Sequence, residues 1–266
     1  MNFKIIFAAA ALLATQSFAI AGIGGHYAPN AGTSLTKTKK ENLNVNSLVG
    51  KNVQFSHGGF TGLQGFGFKA WVDALPFIDL EATFNIQFAS YNASLWVKKD
   101  PLNPLSDEYK EIPLEIELGG TPFAKATPKY IAMNADLSAA YPFDLPLLPI
   151  HPYVGGGLTL HWNTFILNKT FVEKVYNDAI ESNPTMIVEA DEQKIAQELS
   201  KKVVDYAKDE GLKKSVGIHL LAGVRVKPPL IPLSVYANVK CYIGGEYDSD
   251  IDAGHFAFEL GGGFAL

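Results

Sequence analysis

The chain has 266 residues, of which 47% are hydrophobic and 12% aromatic, and its formal net charge is −5. This acidic balance gives no basic surface for binding nucleic acid. The single cysteine, Cys241, excludes an internal disulfide framework and any cysteine-rich zinc or iron–sulfur site.

The first residues have the pattern of a secretory signal peptide. A short basic stretch precedes an apolar run over residues 5–14, and small residues follow. The run is too short to span a bilayer, which takes about 20 apolar residues. We expect residues 1–21 to be a signal peptide, cleaved after Ala19 or Ala21, and residues 22–266 to form the exported protein.

Beyond this segment the dominant hydrophobic period is two, which indicates β-strands with one apolar and one polar face. Eight segments show this period, over residues 21–27, 64–74, 78–88, 130–138, 153–162, 216–227, 233–243 and 255–266. No later stretch approaches 18 uncharged apolar residues, so we expect no transmembrane helix after the signal peptide.

The connections between these segments alternate between two kinds. Three are short and rich in proline, at residues 75–77, 142–152 and 228–232. Four are mostly long and polar, at about residues 28–61, 93–127, 165–214 and 246–252. On an even number of strands this places all long loops at one end, as in outer-membrane barrels. We therefore predict an all-β fold, an antiparallel up-and-down transmembrane β-barrel of about eight strands.

Two of the long connections carry patterns of their own. Inside residues 165–214 the hydrophobic period becomes helical, which predicts two short amphipathic helices. Their apolar residues are Phe171, Val172, Val175 and Ile180, then Ile195, Leu199, Val203 and Tyr206. Residues 111–118 alternate between apolar residues and glutamates, which predicts an extension of the sheet above the membrane or a further strand.

The C-terminus carries the most specific motif. Glu259, Gly261, Phe264 and Leu266 fit the pattern polar-x-Gly-x-x-hydrophobic-x-hydrophobic. With this motif, the chain resembles the small outer-membrane β-barrel superfamily that includes the OmpW-like proteins and the OmpA transmembrane domain. The resemblance implies a location in the Gram-negative outer membrane, contact with its lipids, and a β-signal read by the barrel-assembly machinery. It is a resemblance of scaffold and implies no functional residue.

The polar faces of the strands supply a set of candidate lumen residues. They are Lys69, Asp73, Asp79, Glu81, Asp136, His161, His219, Arg225, Lys240, His255 and Glu259. An eight-stranded barrel is just wide enough for its side chains to fill the interior. We therefore predict a polar network of ion pairs and hydrogen bonds in the lumen rather than an open pore.

The sequence gives no candidate catalytic, cofactor-binding or metal-ligating set. The six histidines lack the spacing of metal ligands, and the nearest approach to a nucleophile pair, Ser56 and His57, has no third partner.

Three functions remain open from the sequence. The leading hypothesis is a non-enzymatic outer-membrane barrel with a role in envelope structure, adhesion or small-solute passage. The first alternative is an exported soluble barrel with the same alternation reversed, in which Phe84, Ile86, Phe88 and Phe256 line a cavity for an apolar ligand. The second is an outer-membrane enzyme that modifies lipids. Loops on a rigid scaffold usually carry specific function, so an extracellular partner would bind at residues 165–214.

Overall fold

The structure is a computed structural model. It describes residues 21–44, 52–73, 77–100, 103, 105, 107–117, 125–143, 145, 148–182, 202, 206, 212–228 and 231–265. In this part of the chain the strands are β1 (Gly22–Tyr27), β2 (Asn30–Leu35), β3 (Glu41–Asn42), β4 (Val53–His57), β5 (Phe60–Val72), β6 (Asp79–Ser90), β7 (Ala93–Lys98), β8 (Tyr109–Pro113), β9 (Ile116–Glu117), β10 (Lys125–Ala126), β11 (Lys129–Pro142), β12 (Ile150–Asn163), β13 (Lys213–Val226), β14 (Leu233–Gly244), β15 (Ile251–Asp252) and β16 (Phe256–Ala265). A helix, α1 (Lys169–Ser182), lies between β12 and β13.

Eight of these strands close into an antiparallel barrel. Around the wall the order is β1, β5, β6, β11, β12, β13, β14 and β16, and β16 pairs back with β1. The closing pair runs from Gly22 opposite Ala265 to Tyr27 opposite Leu260. Each of the eight predicted segments becomes one wall strand, so the predicted fold class is confirmed.

The wall strands bury their polar face and expose their apolar face. On β14, Ser234, Tyr236 and Lys240 are buried, whereas Leu233 and Val235 are exposed. The other wall strands repeat this pattern, because hydrophobic residues on the outside face lipid while polar residues inside find partners across the lumen.

The rows of exposed apolar side chains on the wall strands are long enough to span the apolar core of a membrane. The outward row of β6 ends at Phe88 and continues to Ile78, the residue before the strand; both are exposed. Ten residues at about 3.3 Å each, on a strand tilted by about 40°, rise about 25 Å, which is the apolar band of a transmembrane barrel. The exposure of Phe84, Ile86, Phe88 and Phe256 shows that the alternative of a soluble barrel with an apolar interior is wrong.

The barrel has two different ends. The turn end holds the chain ends of the wall and the three short connections, at residues 73–78, 143–149 and 227–232. The loop end holds the four long connections, at residues 28–59, 91–128, 164–212 and 245–255. The alternation of short turns and long loops is as predicted.

The long connections fold into a cap over the loop end. Strands β3, β4, β7 and β8 form a separate four-stranded sheet, and β9 pairs with β10. The sequence predicts that residues 111–118 extend the sheet above the membrane or add a strand. Residues 111–113 do lie in a strand, β8, but it pairs with β7 in the separate sheet of the cap and is not continuous with the barrel sheet. The first long connection was expected to be a loop, and it forms β2, β3 and β4.

Helix α1 corresponds to the first of the two predicted helices. Asn168 caps its N-terminus, with Oδ1 accepting the backbone N–H of Phe171 at 2.9 Å. Residues 183–201, which hold most of the second predicted helix, lie outside the described residues. In the described part of the chain, no helix is long and apolar enough to cross a membrane.

Candidate functional site

The barrel interior brings most of the predicted lumen residues together. Nine of the eleven are buried inside the wall: Lys69, Asp79, Glu81, Asp136, His161, His219, Arg225, Lys240 and Glu259. Asp73 lies half-buried at the turn end, where it binds Arg225.

His255 is the one predicted residue that stays out of the lumen. It is exposed, because it precedes the first residue of β16 and stands on the loop end rather than inside the wall. Its Nδ1 lies 3.1 Å from the backbone oxygen of Tyr242. The sequence correctly places His255 in the same alternating row as the inward residue Glu259, but β16 begins one residue later, at Phe256.

An ion-paired centre crosses the middle of the lumen. Nζ of Lys240 on β14 lies 2.7 Å from Oδ2 of Asp136 on β11 and 2.7 Å from Oε1 of Glu259 on β16. The Tyr242 hydroxyl donates to the same Asp136 oxygen at 2.9 Å. Because β14 and β11 are three strands apart around the wall, the Lys240–Asp136 pair ties opposite sides of the barrel.

A second charged cluster lies nearer the turn end. Arg225 donates through Nη2 to Oε1 of Glu81 at 2.7 Å and through Nη1 to both oxygens of Asp73, at 2.9 and 3.1 Å. Nζ of Lys69 lies 2.6 Å from the other Glu81 oxygen. The guanidinium also stands 4.9 Å from the centroid of the Trp71 ring, which fills the lumen beside it.

Cations and carboxylates are paired inside the wall. Three buried cations, Lys69, Arg225 and Lys240, contact four buried carboxylates, Asp79, Glu81, Asp136 and Glu259. An unpaired charge in this position would carry a large desolvation penalty, so a filled interior requires such pairing.

Histidines and hydroxyls complete the network toward the loop end. His219 lies between Ser138 and Thr159, with ring nitrogens 2.8 Å from each hydroxyl oxygen. Nδ1 of His161 lies 2.7 Å from Oδ1 of Asn134. These contacts make the histidines part of the packing between strands.

Neutral members of the network were missed by the sequence analysis, which looked for charge. His26 contacts Asn85 at 2.6 Å and Tyr236 at 3.1 Å, and Asn85 and Asn238 both donate to Glu259. All of them share the inward parity of their charged neighbours, so alternation alone would have found them.

The loop end of the lumen is closed by apolar side chains. Leu63 on β5 with Tyr130 and Ala132 on β11 are buried and belong to the same apolar core as the cap. All four long connections contribute to that core, with the buried residues Leu35, Leu43, Val53, Phe55, Tyr91, Ala93, Leu95, Ile112, Leu114, Ile166, Leu167, Val172, Val175, Tyr176, Ala179 and Ile251. The cap is therefore a folded unit seated on the barrel mouth.

Polar contacts fix the connections of the cap to one another. The Leu167 N–H donates to the Tyr91 hydroxyl at 2.9 Å, and Nδ2 of Asn168 donates to Asp250 at 2.7 Å. Burial raises the pKa of the Tyr91 phenol above its ordinary value.

Ser56 and His57 do not form a nucleophile pair. They are consecutive on β4, so their side chains point to opposite faces of the cap sheet. The Ser56 hydroxyl accepts a hydrogen bond from Trp96 at 2.8 Å, and Nδ1 of His57 contacts the Gly58 carbonyl at 2.7 Å. Among the described residues, no group of three or more His, Cys, Asp or Glu side chains is arranged to hold a metal ion.

The C-terminal motif lies on the last wall strand. Glu259 faces the lumen in the charged centre, Gly261 faces inward against His26, and Phe264 is exposed to the outside. Leu266 lies outside the described residues. The reading of this motif as a β-signal stays a prediction.

A closed antiparallel barrel of eight strands, with an apolar wall and an ion-paired interior, defines a transmembrane β-barrel protein. Neither protein-family models nor curated protein sequences match the chain.

Solved structures of outer-membrane barrels are similar to it at low identity. Neisserial surface protein A is 12% identical with a TM-score of 0.42, covering 92% of this chain and 97% of the other. The N-terminal β-barrel domain of Pseudomonas aeruginosa OprF is 10% identical with a TM-score of 0.40, covering 92% and 96%. Ail, the attachment invasion locus protein of Yersinia pestis, is 9% identical with a TM-score of 0.37, covering 92% and 96%. The barrel assignment rests on the strand pairing and burial of this chain.

Proposed function

We propose that this chain is a non-enzymatic outer-membrane protein whose barrel anchors the cap at the cell surface. In this proposal residues 1–21 direct export, the barrel-assembly machinery inserts the wall, and the cap makes the specific contacts in envelope structure or adhesion. The observation that carries the proposal is a lumen closed by cross-barrel ion pairs beneath a folded cap.

The closed lumen supports anchoring over small-solute passage. A solute would have to displace Lys240 from two carboxylates in the middle of the barrel and then pass the apolar core above Leu63 and Tyr130. Breaking buried ion pairs costs several kcal/mol, which is about the size of the total stability of many proteins. A conducting lumen would therefore require breaking contacts that stabilise the folded barrel.

The cap supports a role in contact with other molecules. A barrel that served only to span the membrane would need only short loops, whereas here the four long connections share one core. Functional residues usually lie on loops held by a rigid scaffold. Residues 164–212, which include α1, are the longest of these connections and our proposed place for an extracellular partner.

Two measurements on the full-length protein test this function. In planar bilayers, the protein is expected to give no stepwise conductance under conditions where a sixteen-stranded porin conducts. On intact cells, a Leu105→Cys variant in a Cys241→Ala background is expected to react with a membrane-impermeant maleimide, because Leu105 is 90% exposed at the loop end. Steady conductance would favour solute passage, and labelling only after lysis would contradict display of the cap at the surface.

A further inference from the structure

The turn end carries an apolar surface that neither the barrel wall nor the cap explains. Outside the wall strands, six large apolar side chains are exposed there: Phe77, Ile78, Phe143, Leu145, Leu148 and Ile231. We refer to these six residues as the turn ring. At the loop end, the described residues outside the wall strands include one such side chain, Leu105.

We propose that the turn ring is a lipid-binding surface, immersed in the acyl–headgroup boundary of the leaflet at the turn end. The inference rests on the proposed function, since it requires the barrel to be embedded in a membrane. It goes further by assigning the three short turns to the membrane and by naming phospholipid as their partner.

The ring is continuous with the wall that faces lipid. Ile78 stands two residues before the outward Leu80, and Ile231 stands two residues before the outward Leu233. On the middle turn, Phe143 follows Tyr141 in the same outward row, and their rings meet edge to face at 5.3 Å. The rows therefore enter the turns without a polar break.

The depth of the ring matches the boundary of the leaflet. The row from Ile78 to Phe88 already spans the height of about 25 Å that the apolar band requires. The ring lies directly at the lower edge of that band. Side chains at this level contact acyl chains and headgroups, where aromatic and aliphatic anchors are common.

The chemistry of the turns also suits a site with little water. The three turns, residues 73–78, 143–149 and 227–232, contain six of the 15 prolines in the chain. Proline has no N–H, so each of these residues removes a backbone donor that would be left unsatisfied in lipid. The Lys227 N–H donates to the Pro149 carbonyl at 3.0 Å, which joins two of the turns and satisfies another donor.

The described residues of the three turns include two charged side chains, Asp73 and Lys227. Asp73 points into the lumen, where it binds Arg225, and Lys227 is half-buried with a long stem that can carry its ammonium to the headgroups. The charge cluster at the bottom of the lumen therefore lies at headgroup level, inside the ring.

Site-directed spin labelling of the full chain tests the proposal. Labels are placed at Phe77→Cys, Leu148→Cys and Ile231→Cys in the Cys241→Ala background, and the protein is reconstituted in phosphatidylethanolamine–phosphatidylglycerol vesicles. Each label is then measured for collision with oxygen, which concentrates in lipid, and with a nickel chelate, which stays in water. Native Cys241, which is half-buried on the outward face of β14, gives the lipid reference. Leu105→Cys gives the water reference.

We expect the three turn labels to resemble the Cys241 label, with nickel collision several-fold below that of the Leu105→Cys label. If the Cys241 label is protected and the turn labels are as accessible to nickel as Leu105→Cys, the turn ring lies in water and the inference is wrong. Protection in native membranes but not in vesicles would assign the ring to a protein partner and would also overturn it. Nickel access to the Cys241 label itself would contradict the membrane barrel, which separates failure of the proposed function from failure of this inference.

Discussion

The ammonium of Lys240 lies 2.7 Å from Oδ2 of Asp136 on the opposite side of the barrel, and both side chains are closed to solvent. Oε1 of Glu259, on the neighbouring strand β16, lies 2.7 Å from the same ammonium. One cation thus compensates two carboxylates and joins three strands of the wall. This centre ties strands of the wall together across the lumen.

Replacing Lys240 with methionine should destabilise the barrel strongly. The substitution leaves Asp136 and Glu259 buried with no cation between them, and removing one partner of a buried pair costs about 3–5 kcal/mol. Urea unfolding of the refolded protein in detergent, followed by tryptophan fluorescence, measures the loss. Lys39→Met is the matched control, because Lys39 is exposed on the cap side, and its unfolding midpoint should not move. Equal midpoints for the two variants would contradict the role given to the ion pairs.

Leu95→Ala should loosen the cap while leaving the barrel closed. Leu95 is fully buried in the core that the four connections share, and such a truncation costs about 2–5 kcal/mol. Limited trypsin digestion should cut the cap faster, while the wall fragments stay resistant in detergent. Leu105→Ala, the same change at a side chain that is 90% exposed, should digest like the unmodified protein. Collapse of the barrel in Leu95→Ala would show that cap and wall are one cooperative unit.

Gly67→Ala tests how closely the lumen is packed. A Cβ at Gly67 would overlap Oδ1 of Asn85 and Nε2 of His26, so the His26–Asn85 contact must open. Overpacking of this kind costs about 1–3 kcal/mol, measured as a lower denaturation midpoint. At Gly25, on the outward face of β1, the nearest neighbour of a Cβ is the Gly67 oxygen at 3.8 Å, and Gly25→Ala should be neutral. A roomy, hydrated lumen would instead make both substitutions equally mild.

Leu220→Arg should oppose insertion into the membrane. Leu220 is 58% exposed near the middle of the outward row of β13, where an arginine costs about 2–4 kcal/mol. The yield of folded protein in vesicles should fall for this variant and stay unchanged for Leu105→Arg on the cap side. Full insertion of Leu220→Arg would mean that this face does not meet lipid.

The wall was predictable because its signal is long and redundant. Each wall segment repeats the period of two over many residues, and prolines mark the turns, as at Pro76 and Pro232. Alternation defines two faces without saying which one is inside. What favoured the membrane orientation was the order of long and short connections.

The cap escaped prediction for the opposite reason. Strand β4 does alternate, with Val53, Phe55 and His57 buried, but its five residues are too few to stand out from chance. Its pairing with β7 joins residues about 40 positions apart, such as Phe55 and Leu95, and no local pattern specifies that contact. The sequence also could not predict which lumen residues pair with each other, such as Lys240 with Asp136. It did predict which charged residues lie in the lumen.

The mobility of the full-length protein from a washed membrane fraction, run on a gel with and without boiling in detergent, tests the central claim most directly. A closed barrel locked by its interior pairs should resist detergent, migrate faster unboiled, and shift to the full-length position after heating. Recovery in the soluble fraction with no heat-dependent shift would contradict a membrane-embedded barrel, and with it the proposal that the cap is anchored at the cell surface.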